Sequence, residues 1–255
     1  MTASGVLWRA ASALVGIALL VGMASCGSSE PKKQIDASTF MPQLISTMRA
    51  QGSADIDFTF EAGSESFAGD GVMVFRDDGE SDGRLLMTAD AIEFEMVVVD
   101  GRLWLAYDEL TAGQYFEVDV RHGNPTEREF AEVVDQMDPL RSFEPFAEAI
   151  ESVEVLGKPR SFDGVVTRRH RVVVDTAVIN GLPELDALPR EEVPPYFVYE
   201  MYVGTDGLLR HISYGLGHVE MTASYSHFGS KERIDPPSRD EITLENPFAG
   251  LDQGI

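Results

Sequence analysis

The sequence predicts an α+β fold: an antiparallel sheet of about eleven strands covered on one side by a few helices. Apolar residues alternate with polar ones over most of residues 54–120 and 153–225, Asp-Gly pairs at 100–101, 163–164 and 206–207 separate such runs, and helical periodicity is confined to two places. Strands in runs with segregated helices describe a sheet with one covered face.

Before the folded part comes a processing signal. Arg9 is the only charged residue ahead of Glu30, and the apolar run from Ala10 to Met23 follows it. That run is shorter than the ~20 residues a spanning helix needs. Small residues come next in Ala24, Ser25 and Cys26, which reads as a signal peptide over residues 1–25. The stretch MASCGSS resembles a lipobox, in which the cysteine receives the lipid. Cys26 is the only cysteine in the chain, so it has no disulfide partner, and lipidation gives it a role. The multiply acylated end expected of a lipoprotein holds a domain at the membrane more firmly than one chain does. The expected location is therefore the outer face of the cytoplasmic membrane. Residues 26–35 are small, polar and unpatterned, a flexible tether, and residues 36–255 form one domain with an acidic tail.

The domain opens with a helix. Ser38 or Thr39 can cap it, Phe40, Leu44 and Met48 recur every fourth residue, and Gly52 closes it. Alternation then sets in. Ile56, Phe58 and Phe60 share one face of the first strand, with Asp55, Asp57 and Thr59 on the other; Phe67, Met73 and Phe75 repeat this on the second. Past the acidic loop DDGESD, one strand carries Leu85 and Met87, and another Ile92, Phe94, Met96 and Val98. A two-residue turn at Asp100-Gly101 sets Val98 opposite Leu103, Met96 opposite Leu105 and Phe94 opposite Tyr107, while Glu93 and Glu95 lie on the other face. Phe116, Val118 and Val120 continue the apolar face.

Helical period returns after His122. Asn124, Pro125 and Glu127 form a start signal ahead of Phe130, Val133, Val134 and Met137, and Asp138-Pro139 opens a shorter piece with Phe143, Phe146 and Ile150. Strands resume over 153–156 and 165–174. The segment TAVINGLPELDALPREEVPP breaks both periods and reads as an excursion across the sheet. Three last strands follow at 196–203, 208–214 and 219–225, where the Asp206-Gly207 turn pairs Met201 with Ile212 and Tyr199 with Tyr214. The tail after Lys231 has little pattern.

Charge narrows the function. The formal net charge is −23, and losing residues 1–25 with Arg9 makes it more negative still. Such a field repels nucleic acid and anionic headgroups, and suits solubility outside the cell. One region runs against it: Lys158, Arg160, Arg168, Arg169 and Arg171 gather in one hairpin, with Arg169 and Arg171 on the same side of their strand. This is either a solvated edge that discourages sheet-to-sheet association or a contact for an anionic headgroup or acidic partner. No nucleophile elbow, phosphate loop, dinucleotide fingerprint or paired-histidine zinc motif is present, and His122, His170, His211, His218 and His227 are scattered. The chain reads as no enzyme, with neither cofactor nor metal.

Three stretches carry a resemblance: VEVLGKPRSFDGVVTRRHRVVVDTA, VYEMYVGTDGLLRHISYGLG and MTASYSHFGSKERIDPPSRDEI. Their Phe-Asp-Gly turn, Leu-Leu-Arg return and Tyr-Ser-x-Phe-Gly resemble the actinobacterial LppX/LprG lipoproteins of the LolA/LolB-like lipid-carrier class, over most of residues 37–242. His170 departs from it, standing where an aromatic residue is common. The resemblance implies a strongly curved half-barrel with helices in its mouth, and a cavity that takes acyl chains of a lipid or lipoprotein for carriage toward the outer envelope. Phe58, Phe60, Phe75, Phe94, Met96, Leu105, Phe116, Tyr199, Met201 and Ile212, all on apolar sides of their strands, are the expected ligand-facing residues. The alternative is a non-catalytic interaction or sensory lipoprotein whose cavity is filled by its own side chains.

Overall fold

The computed structural model describes residues 34–62, 65–89, 92–107, 111–119, 140, 143–144, 147–178, 193–216, 219–231 and 233–245. The signal segment, Cys26 and its tether up to residue 33, Val120, the helix expected over 124–137, Phe146 and residues 179–192 of the excursion lie outside them.

Helix α1 spans Ala37–Arg49, and its cap is Asp36 rather than Ser38 or Thr39. The Asp36 carboxylate accepts from the Ser38 backbone N–H at 3.0 Å and the Ser38 hydroxyl at 2.7 Å. A negative charge at a helix N-terminus also meets the positive end of the dipole, so aspartate serves well there. Phe40, Leu44 and Met48 are buried with Met41 and Ile45, forming one apolar stripe. At Gly52 the backbone takes φ +76°, and its carbonyl accepts from the Phe75 N–H at 2.8 Å.

Six strands then run in sequence order: β2 (Ser53–Ala62), β3 (Glu65–Phe75), β4 (Ser81–Ala89), β5 (Ile92–Val99), β6 (Arg102–Ala106) and β7 (Tyr115–Val118). A second run holds β8 (Ile150–Phe162), β9 (Val165–Asp175), β10 (Tyr196–Gly204), β11 (Leu209–Leu216) and β12 (Val219–Ser226). Pairing of β12 with β2 joins the two runs into one sheet. Two-residue strands finish its edges, β1 (Gln34–Ile35) beside β8 and β13 (Ile242–Thr243) parallel to β7. The sheet is open and curved, with thirteen strands in the order β1-β8-β9-β10-β11-β12-β2-β3-β4-β5-β6-β7-β13. The count exceeds the expected eleven by those two edge strands, which are too short to leave a period. Among the described residues α1 is the one regular helix, where several were expected.

The Asp100-Gly101 and Asp206-Gly207 turns give the pairs read from them, except that Phe94 and Tyr107 lie beyond the last paired residues of β5 and β6, Glu95 and Ala106. Asp100 and Gly101 have φ 52° and 68°, Asp163 and Gly164 47° and 77°, the paired positive values of a tight hairpin turn. Met96 faces Leu105 and Val98 faces Leu103. Met201 faces Ile212 and Tyr199 faces Tyr214, with a bulge after Tyr202 absorbing the slack of the Asp206-Gly207 turn. Strand β8 is much longer than residues 153–156: it starts at Ile150, expected in a helix, and continues past a bulge between Leu156 and Arg160, where Gly157 has φ 67°.

One face of the sheet, here the inner face, carries the large core with α1 packed on it. The outer face has a second, smaller core of Val74, Val97, Val99, Trp104, Tyr115 and Ile234, with Ile242 against it. The tail, which has little pattern in the sequence, crosses the outer face, burying Ile234 and adding β13. Burial beside Glu95 pushes the Tyr115 phenol up to about 12.

Candidate functional site

Register builds the inner face as rows running across the strands. One row passes through Met201, Ile212, Ala223, Phe58, Gly69, Met87 and Phe94. A second holds Tyr199, Tyr214, Met221, Phe60 and Phe67, and a third Ile56, Gly71, Leu85, Met96, Leu105 and Phe116. The ten expected ligand-facing residues thus lie on one face. Phe75 sits at the end of β3 next to Gly52.

Small residues make room for large ones. A Cβ on Gly69 would lie 2.6 Å from the Met87 sulfur and 2.8 Å from the Phe58 ring, so those two side chains fold over β3 from its neighbouring strands. A Cβ on Gly71 would meet the Arg84 carbonyl oxygen at 2.1 Å, which only glycine avoids.

Burial divides the ten. Phe58, Phe75, Met96, Leu105, Phe116, Tyr199, Met201 and Ile212 are buried in the inner core, Met201 with no exposed surface. Phe60 and Phe94 are half-buried. Phe60 stacks on Phe67 with centroids 4.6 Å apart, and Phe67, Tyr214 and Met221 are likewise half-buried. The less covered residues share the end of the sheet where β2 and β11 finish and β3, β10 and β12 begin. At the other end Gly207, in the β10–β11 turn, lies against Thr47 of α1, and Gly229, just past β12, against the backbone of Gln51 in the turn after α1. Phe67, Tyr214 and Met221 were legible as apolar positions but nothing in their spacing marked them as less covered.

Chemistry on this face is sparse. His170 sits opposite Met201 with its ring centroid 5.3 Å from that of Phe40 in α1. Its Nδ1 lies 2.9 Å from the Arg168 carbonyl oxygen, and burial holds its pKa below the ordinary value. Phe197, Tyr199 and Tyr214 form edge-on contacts at 4.7 to 5.3 Å. Among the described residues no group of histidines, cysteines or carboxylates has metal-site geometry.

A cleft of about 520 Å³ lies elsewhere, along the side of α1 that bears Pro42, Ile45, Ser46, Arg49 and Ala50, with Asp77, Glu144 and Ala147 opposite. None of the ten residues lines it. In the basic hairpin, Arg169 has an internal carboxylate, Glu200 at 3.3 Å, and Arg171 stands in register between Glu154 and Glu200. Among the described residues no helix is long and apolar enough to cross a membrane.

No protein-family model matches the sequence, and no curated protein matches it. Solved structures do. The chain is similar to LprF from Mycobacterium bovis at 14% identity and TM-score 0.53, over 83% of this chain and 96% of that one. It is similar to the lipoprotein LppX from Mycobacterium tuberculosis at 9% identity and TM-score 0.51, over 78% and 98%. A LolA superfamily protein from Nitrosomonas europaea is a more remote match, at 10% identity and TM-score 0.28, over 79% and 96%. The chain has the fold of LprF and LppX.

Proposed function

We propose, from the fold shared with LprF and LppX, that this protein is an envelope lipoprotein that shelters the acyl chains of a lipid or lipidated molecule against the inner face of its sheet. It carries them between the cytoplasmic membrane and the outer envelope and makes or breaks no bond. Cys26 bears the anchor. The observation that carries this reading is the half-buried row of Phe60, Phe67, Tyr214 and Met221 at one end of an otherwise apolar face. Aromatic and methionine side chains adapt to flexible apolar ligands. The direct test is mass spectrometry of lipid extracted from purified, unlipidated protein. Co-purifying lipid is the expected result; protein that carries none and takes none up when offered it overturns the reading.

A second reading has its own observation. Met201, Leu209 and Ile212 are fully buried beneath α1, so the deep part of the face supports an interaction or sensory lipoprotein whose centre is filled. Under the carrier reading acyl chains enter only as far as the half-buried row and the residues next to it.

A further inference from the structure

About half of the cations among the described residues are matched by carboxylates. Arg76 pairs with Asp78, Asp82 and Asp100, Arg84 with Glu95, Arg102 with Glu117, Arg210 with Asp206 and Arg233 with Asp235. Among the described residues Lys158, Arg160, Arg168, Arg171, Lys231 and Arg239 have no carboxylate within ion-pair distance, and the first four share the β8–β9 hairpin. Lys158, Arg160 and Arg168 cluster toward its turn, all exposed, and Val166 beside them is 51% exposed. Asp163, in the turn, is the one acid between Lys158 and Arg169.

The same hairpin lies at the edge where the chain enters the fold. Strand β1 pairs antiparallel with β8, Gln34 opposite Glu154 and Ile35 opposite Val153, so the N-terminal end of β1 points toward the β8–β9 turn. Cys26 precedes Gln34 by eight residues. An extended chain covers at most about 3.6 Å per residue, so an acyl anchor at Cys26 lies within roughly 29 Å of Gln34. Glu154 and Phe162 face Arg171 and Val165, six residues apart on β9, about 20 Å of strand. A chain of that length would allow the basic turn to reach the bilayer surface that holds an anchor at Cys26.

We propose that the β8–β9 turn, through Lys158, Arg160 and Arg168, docks on the anionic phospholipid headgroups of the membrane that holds the anchor. This rests on the acylation of Cys26 and is independent of what the inner face binds. The domain as a whole is repelled by such a surface; one cationic corner on the edge that β1 joins turns that repulsion into an orientation, with the acidic remainder facing away. Near an anionic leaflet each such cation favours association by about fivefold at moderate salt, and the effect is screened as salt rises.

The test uses the full lipidated protein anchored in vesicles of phosphatidylcholine alone or of phosphatidylcholine with phosphatidylglycerol. With the Cys26 thiol acylated, Ser161→Cys supplies a single labelling site at the turn, and Thr88→Cys, near the opposite end of the sheet, a control. The label at 161 should be quenched by headgroup-bound spin labels on phosphatidylglycerol vesicles, and much less at high salt or in Lys158→Glu/Arg168→Glu. The control label should not respond. Equal quenching on both vesicle types, or at both positions, overturns docking. Flotation at high salt reads the anchor separately, and lipid extraction reads the ligand. Unchanged melting of the double variant excludes misfolding, and if it melts early Lys158→Gln/Arg168→Gln replaces it.

Discussion

Placing a charge at two depths of the inner face separates a packed core from a ligand-accessible mouth. Met201 has no exposed surface and faces His170 and Ile212 across its neighbouring strands. Met201→Arg forfeits roughly 1.5–3 kcal/mol of side-chain burial and leaves an unpaired charge costing several kcal/mol more. Against a total stability of about 5–15 kcal/mol, the expected outcome is a melting temperature at least about 10 °C lower, or no folded protein. Phe60 is half-buried, so an arginine there can lay its stem along Phe67 and put its head in water. Losing the stacked pair costs about 0.5–1.5 kcal/mol. Phe60→Arg should therefore melt only a few degrees early yet take up a fluorescent fatty acid at least about tenfold less tightly, a difference of ~1.4 kcal/mol. Circular dichroism melting beside fatty-acid titration reads both. A stable Met201→Arg would reveal space beneath α1. A Phe60→Arg variant with full uptake would mean that the half-buried row is not the mouth.

Three further outcomes are expected. Gly71→Ala drives a methyl into the Arg84 carbonyl and should cost about 3 kcal/mol or more; an unchanged thermal midpoint would refute the close approach of β3 and β4. Burial lowers the pKa of His170 in the folded state below the ordinary 6.5, so the unfolded chain binds the proton more readily. Its contribution to stability is then constant above 6.5 and falls as pH drops through that value. His170→Phe should flatten the loss seen between about pH 7 and pH 5, in part only, because His211 is shifted the same way by burial; identical denaturation profiles for variant and wild type would contradict this. Cys26→Ala should abolish incorporation of a tagged fatty acid, and equal label on both proteins would end the anchoring proposal.

Much of the sheet was legible because antiparallel hairpins are local. Asp100-Gly101 permits the positive backbone angles of a tight turn, and once the turn is placed, period-two alternation decides which residues face each other. Non-local features were not legible. Pairing of β12 with β2 brings together strands far apart in sequence, and no residue in either advertises the other. The tail failed for a related reason: Ile234 and Ile242 are isolated apolar residues without a period, and only the outer-face hollow over Trp104 and Val97 gives the first of them a place. At α1, Asp36, Ser38 and Thr39 are all cap residues by type, and nothing in the sequence ranks them. The Asp36 carboxylate binds the nearer hydroxyl residue, Ser38, as well as its N–H.

For the candidate site, alternation identified the face but could not grade depth along it. Phe58 and Phe60 are two residues apart on one strand with the same side chain, and the sequence treats them alike. Their difference comes from what lies across the rows: Phe58 sits between Ala223 and Gly69, small residues that let it fold inward, whereas Phe60 sits between Met221 and Phe67, which fill their own space. That contrast bears on function. A strand position flanked by small residues becomes part of a sealed core, and one flanked by large, adaptable residues keeps a surface that another apolar molecule can cover. The proposed sheltering of acyl chains needs both a packed core and a rim that a ligand can complete, and Gly69, Gly71 and Ala223 beside Phe58, Leu85 and Met87 pack the first while Phe60 and Phe67 remain half-buried.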